Sequence, residues 1–202
     1  MREQRRRADA RRNSERIVRA AITLFRDRGT DASLELLAAR AEVGVATVYR
    51  LFGGRDGVIR AAFDTYFAEE VEPLALAARD SADPGRALAE AMTAAVESLA
   101  AHRLLLGAAH EARALTVDTA ERFLGPLREV LRAAQDTGQV RGDLVVRDLA
   151  AVVVMALATV HQDDADGADV RRYLALLLDG IRTAGPVLPP PARSGFGTVA
   201  GA

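Results

Sequence analysis

The sequence predicts an all-α protein. Half of its 202 residues are apolar, yet aromatics make up only 4% of the chain. The apolar residues recur at three- and four-residue intervals rather than in alternation. β-branched and aromatic runs that would fill a pleated surface are missing. Capping residues, glycines and prolines punctuate the periodic stretches where helices start and stop. A chain of this length buries one large core or two small ones.

Residues 1–12 carry Arg2, Arg5, Arg6, Arg7, Arg11 and Arg12 without an apolar stripe. They are expected to form a flexible basic arm, either solvated as many termini are or reaching phosphates or a minor groove. Asn13 or Ser14 caps a helix to about Arg28, with Ile17, Ala21, Leu24 and Phe25 as its buried stripe and Gly29 as its stop. Ser33 is a good N-cap for a short helix carrying Leu34, Leu37, Ala38 and Ala41. Glu42, Val43 and Gly44 make a turn, with Val43 as an apolar plug and Gly44 relieving backbone strain. A second short helix covers 45–52, with Val48 and Phe52 on one side. Gly53 and Gly54 end it. Arg55-Asp56 opens a longer helix through Ala62, Phe63, Tyr66 and Phe67. Asp56 suits the dipole of that first turn and Arg55 does not, which hints at another task for Arg55, a phosphate contact. Pro73 ends or bends this helix near residues 70–72.

Asp83-Pro84 is a helix start, a capping carboxylate followed by proline at the first helical position. That helix runs through Leu88, Met92, Val96 and Leu99. Another helical piece spans 102–115, with a break expected near Gly107. Asp118 or Thr119 begins a helix bearing Phe123, Leu127, Val130 and Leu131, with a kink or split at Gly125-Pro126. Residues 145–160 are nearly all apolar, including Leu149, Val152, Val153, Met155, Ala156 and Val160, and must be buried on most sides. An acidic loop at 163–169 leads to a last helix, 170–184, with Tyr173, Leu174, Leu177, Leu178 and Ile181. The tail 185–202 contains three consecutive prolines and is expected to be disordered. This makes about nine helices.

Charge is unevenly spread. Residues 1–60 hold 14 Arg against 8 acids, whereas residues 61–202 hold 13 against 20. The surplus points the first segment towards nucleic acid. No run of 18 uncharged apolar residues exists, so no membrane span is predicted, and no signal peptide is visible. Cysteine is absent, which fits a cytoplasmic location. The three histidines lack metal-ligand spacing. No nucleophile set, phosphate loop or carboxylate pair stands out, so neither an enzyme nor a cofactor is predicted.

Helices 33–41 and 45–52, joined by a short turn, form either an ordinary helix hairpin or a helix-turn-helix whose second helix enters the major groove. Gly44 and Ala46 are small enough for close approach to a groove wall, and Thr47, Tyr49, Arg50 and Arg55 supply hydroxyls and charge for phosphate oxygens. The run from Ala41 to Asp56, AEVGVATVYRLFGGRD, resembles the signature of the TetR family of transcriptional regulators, with its Thr-apolar-Tyr-x-x-Phe core and a basic-acidic pair opening the next helix. Residues 127–149, with Ala133-Ala134-Gln135 and Gly138-Gln139-Val140-Arg141-Gly142-Asp143, resemble the C-terminal domain of an SbtR-like subgroup.

The resemblance implies a ligand-responsive repressor that binds a palindromic operator as a homodimer. A helix-turn-helix domain would occupy 13–55 and an effector-binding and dimerisation domain 56–184, the helix after Asp56 acting as a lever. Ile17, Phe25, Leu37, Val48 and Phe52 would form the small domain's core. Thr47, Tyr49 and Arg55 take the family's phosphate-contacting positions, and Ser33 both caps and touches phosphate. Val45, Ala46 and Arg50 sit within reach of base edges behind Gly44. Gly44, Leu51 and Gly54 replace commoner polar residues, which concentrates the DNA contacts on Thr47, Tyr49, Arg50 and Arg55. A small-molecule pocket would draw on Tyr66, Met92, His102, His110, Glu111, Phe123 and Thr159. Val152, Met155, Ala156, Tyr173, Leu174, Leu177 and Ile181 would form the dimer interface. The rival readings are a helical interaction module that has lost DNA binding and an all-α enzyme.

Overall fold

The computed structural model describes residues 1–160, 167–182 and 185–190, and these contain α-helices but no strand. The helices are α1 (Arg2–Arg28), α2 (Leu34–Arg40), α3 (Val45–Phe52), α4 (Arg55–Tyr66), α5 (Glu72–Ala78), α6 (Pro84–Ala101), α7 (Arg103–Glu111), α8 (Val117–Asp136), α9 (Val146–Leu157) and α10 (Ala168–Arg182). A π turn, Phe67–Val71, joins α4 to α5. Counted as one helical run, α4 and α5 leave nine helices among the described residues.

Two compact units divide the chain, and not at residue 55. The first takes in residues up to Glu69 together with Ala101–Leu115; the second holds Glu70–Ala100 and the chain from Thr116. In the first, α1 packs on α4 and α7, and α2 and α3 lean on α1. Ile17, Leu24, Phe25, Leu37, Val48, Phe63 and Tyr66 are buried there, whereas Phe52 is only half-buried. The segment around α7 joins this unit because Leu104 lies against Gly29 and Arg60 donates to the Ala112 carbonyl at 3.1 Å. Apolar spacing along the chain carries no trace of that long-range pairing.

Residues 1–12 are not an arm. Helix α1 starts at Arg2 and runs for 27 residues. Nothing between Arg2 and Arg28 is Gly or Pro, and Arg, Glu, Gln and Ala are strong helix formers. Exposed i,i+3 and i,i+4 pairs, Arg12 with Asp9 and Arg11 with Glu15, add small increments. Asn13 and Ser14 therefore sit inside the helix rather than capping it.

The second unit is built on α5 against α8, α8 against α9, and α9 against α10. Pro73 falls in the first turn of α5, where its missing N–H costs least, and the π turn just before it takes the bend expected near 70–72. Asp83 caps α6 through the Arg86 N–H at 3.2 Å. Gln139 ties that cap to the end of α8, donating to Asp83 at 2.8 Å and accepting from Gly85 N–H at 2.9 Å. Thr116, rather than Asp118 or Thr119, caps α8. Both predicted interruptions are absent: α7 passes Gly107 and α8 passes Pro126 unbroken. Packing of Phe123, Leu124, Leu127, Val130 and Leu131 on one side outweighs the lost backbone bond at Pro126.

Helix α9 is not buried on most sides. Leu149, Val152 and Ala156 face the unit's interior, while Ala151, Val154, Met155 and Ala158 are exposed. At the chain's end, Arg141 pairs with Asp143 at 2.6 Å and donates to the Pro186 carbonyl at 2.8 Å. Asp143 accepts from the Leu188 N–H at 2.8 Å. The described part of the expected disordered tail, 185–190, is thus anchored; residues 191–202 and most of the acidic loop at 163–169 lie outside the described residues.

Candidate nucleic-acid interface

Ser33 is extended (φ −88°, ψ 155°) and its hydroxyl accepts from the Leu36 N–H at 3.1 Å, which fixes the start of α2. The turn after α2 places its left-handed residue at Glu42 (φ 52°). Gly44 is instead an extended N-cap (φ −74°, ψ 145°) without a side-chain bond. Its glycine identity therefore supplies smallness and not conformational freedom, contrary to the expectation of strain relief at that position.

Val48 is fully buried and sets the rotation of α3. By helical geometry the other faces turn outward. Gly44, Ala46, Tyr49 and Arg50 are exposed, while Val45 and Thr47 are half-buried. Tyr49 keeps 54% of its surface exposed, with an edge of its ring 3.7 Å from the position of a Cβ on Gly54. Arg50 has no hydrogen-bond or ion-pair partner among the described residues.

The junction to α4 is unusually tight. Gly53 (φ 76°) and Gly54 (φ 132°) both occupy backbone regions that favour glycine. Helix α4 then returns so close to the end of α3 that a Cβ on Gly57 would stand 1.8 Å from the Phe52 carbonyl oxygen. Sequence reasoning missed Gly57. The spacing Gly53-Gly54-x-x-Gly57 was visible, but only the three-dimensional return of α4 gives it meaning.

Arg55 does not project into solvent as a phosphate ligand. Its guanidinium donates to the carbonyls of Thr30 and Ala32 and lies 5.3 Å from the centre of the Phe25 ring. An arginine that opposes the dipole of its own helix is explained by these partners: it clamps the segment between α1 and α2 onto α4.

A concave surface of about 740 Å³ flanks the α2–α3 turn, lined by Arg12, Glu15, Arg16, Arg19, Arg40 and Glu42 among others. Arg16 pairs with Glu42 at 2.7 Å. Arg19 bonds Glu69, and that hydrogen bond holds the Glu69 carboxyl below its usual range.

The seven expected pocket residues divide between the two units. Tyr66 and His102 are buried and stack with ring centres 4.2 Å apart in the first unit, where His110 and Glu111 are exposed. Met92 and Phe123 are buried in the second unit, and the Thr159 hydroxyl donates to the Ala156 carbonyl at 2.7 Å. A separate cleft of about 480 Å³ in the second unit is lined by Arg79, Ser81, Glu129 and Thr137 among others, and by none of the seven. No group of His, Asp and Glu able to hold a metal occurs among the described residues, and none of their helices is long and apolar enough to cross a membrane.

The expected dimer residues divide as well. Val152, Ala156, Leu174 and Ile181 are buried within the chain, and Leu177 is half-buried. Met155 and Tyr173 are exposed, together with Val154 at 65% and Leu176 at 61%. The three- and four-residue spacing of the buried set already separates these faces, so Val154 and Leu176 were legible from register.

Residues 17–62 match the family of bacterial regulatory proteins called the tetR family. Residues 83–183 match the SbtR-like transcriptional regulator C-terminal domain. A TetR transcriptional regulator of Streptomyces coelicolor is 26% identical, with 85% of this chain and 99% of that one covered and a TM-score of 0.63. A TetR regulatory protein of Mycobacterium vanbaalenii is 29% identical over 88% of this chain and 99% of its own, with a TM-score of 0.61. The fold is shared with FadR of Bacillus subtilis, solved with stearoyl-CoA, at 17% identity, 84% and 97% coverage and a TM-score of 0.65. No curated protein matches.

Proposed function

Because the chain belongs to the TetR family of transcriptional regulators, we propose that it represses its target genes as a homodimer on a palindromic operator and is released by a small molecule. Family and fold are those of DNA-binding regulators rather than enzymes. The observation that supports operator reading most directly is the outward face of α3. Val48 holds the helix from behind, and Ala46, Tyr49 and Arg50 are presented to solvent with the Arg50 guanidinium uncommitted among the described residues. A guanidinium so placed can donate two bonds to one guanine, worth about 1–3 kcal/mol of discrimination. Tyr49 and Thr47 offer hydroxyls to the flanking phosphates, and the Ser33 hydroxyl, while capping α2, can also donate to one.

Dimerisation is proposed through the uncovered apolar face of α9 and α10. Val154, Met155, Tyr173 and Leu176 are too large and too apolar to stand in water without consequence. A twofold pair would set two α3 helices on half-sites about one DNA turn apart or a multiple of it, roughly 34–36 Å for one turn. A small molecule would release the DNA by binding one arrangement of the dimer better than the other. Function in the cytoplasm, without catalysis, belongs to the same reading.

The test is a gel shift with DNA upstream of the protein's own gene at two salt concentrations. Salt-sensitive binding that Tyr49→Ala or Arg50→Ala removes is the expected result. Absence of binding to any such DNA favours an interaction module that has lost its DNA.

A further inference from the structure

Helix α1 begins at Arg2, and among its described side chains the first buried one is Ile17. Fifteen helical residues therefore precede the core, a projection of about 22 Å at 1.5 Å per residue. They include Arg2, Arg5, Arg6, Arg7, Arg11, Arg12 and Arg16 against Glu3, Asp9 and Glu15. The only apolar residues among them are Ala8 and Ala10. The segment also precedes the residues matched by the family, which start at 17.

We propose that this projecting basic helix is a second DNA-docking surface, lying along the phosphates that flank each operator half-site. The proposal rests on the DNA-binding reading above and extends it. Composition selects the partner. A helix without an apolar stripe cannot bury surface against another protein, and a membrane-surface helix needs Leu, Phe or Trp on one face. A net surplus of four arginines over fifteen residues fits a polyanion that is recognised by charge alone.

Position selects DNA over other polyanions. The helix runs down into the concave surface that holds Arg12, Arg16, Arg19 and Arg40, and Glu42 on its wall lies two residues before the N-cap of α3. A duplex seated on α3 thus meets this groove next. Arg12, Arg16 and Arg19 are occupied in the free protein by Asp9, Glu42 and Glu69. These partners are exposed, and exposed pairs contribute only about 0–1 kcal/mol. Exchanging a carboxylate for a phosphate oxygen costs little there. Arg40 has no such partner among the described residues.

The experiment uses the full chain and duplexes that it selects from a random-sequence pool. The comparison is with R2Q/R5Q/R6Q/R7Q, since glutamine keeps nearly the helix propensity of arginine. The slope of log K against log salt is expected to fall by about 0.9 for each lost phosphate contact. The footprint should shorten on the outer side of each half-site. On a duplex trimmed to the variant's footprint, the two proteins should bind equally. Equal slopes and equal footprints on the long duplex overturn the proposal. So does a variant with unchanged DNA binding that no longer floats with vesicles of anionic phospholipid, which assigns the helix to a membrane surface. Failure of the unmodified protein to select any sequence sinks the DNA-binding reading itself, and is recognised before the variant is measured.

Discussion

Gly57→Ala sets two well-known effects against each other. Helix propensity alone favours alanine by about 0.8–1.0 kcal/mol in a helix interior, and a little less near the first turn of α4, where position 57 lies. The junction predicts the opposite sign. The new Cβ would stand 1.8 Å from the Phe52 carbonyl oxygen and 2.9 Å from its carbon, where an ordinary contact is about 3.5 Å or more. Both clashing atoms are backbone, so no side chain can rotate away. Either α3 or α4 must move by more than an ångström, and overpacking of that kind costs about 1–3 kcal/mol. A net loss of about 0–2 kcal/mol follows. Because this junction fixes how α3 is held against α4, operator affinity should fall further than stability does. Urea unfolding and a binding titration on the same sample separate the two. An alanine variant that is more stable than the parent and binds as well would refute the close return of α4 in this chain.

Three further outcomes follow from the same geometry. Arg55→Ala should destabilise the fold by about 1–3 kcal/mol, since it strands two carbonyls and removes a cation from the Phe25 face; a salt-dependent loss of DNA affinity at unchanged stability would instead make Arg55 a phosphate ligand. Leu176→Glu places a charge on the uncovered face of α10 and should convert a dimer to monomers in sedimentation while the helix content stays constant. Asp143 should make the protein acid-sensitive. The Arg141 guanidinium and the Leu188 N–H hold its carboxyl well below the usual carboxylate range. A folded-state value below the unfolded one, about 3.9, contributes stability that is complete above that pH and lost as pH falls towards the folded value. The difference between Asp143→Asn and the parent in unfolding midpoint should therefore be constant at neutral pH and shrink only under acid.

Several features were legible because they depend on near neighbours. The cap at Ser33, the Asp83-Pro84 start and the buried stripe of Ile17, Ala21, Leu24 and Phe25 all follow from spacings of three and four. The buried Val48 and the outward Tyr49 and Arg50 of α3 follow the same spacings, within a motif of sixteen residues. At residues 1–12 the charge run suggests an arm, yet Arg, Glu, Gln and Ala are helix formers, and local propensity prevails.

What the sequence by itself determined is the set of helices, the face of α3 that turns outward and the family. Each is encoded within a few turns of chain, where periodicity and caps suffice. Tertiary structure alone decided the rest. It turned Arg55 from a phosphate ligand into a clamp, joined α7 to the DNA-reading unit, and made Gly57 a requirement rather than a weak helix residue. It also parted the seven supposed pocket residues between two units. Arg55 meets carbonyls of Thr30 and Ala32 more than twenty residues back, and Leu104 meets Gly29 from far along the chain. Gly57 and Phe52 are near in sequence, but their backbone approach is set by how α4 returns on α3, and apolar spacing holds no record of either.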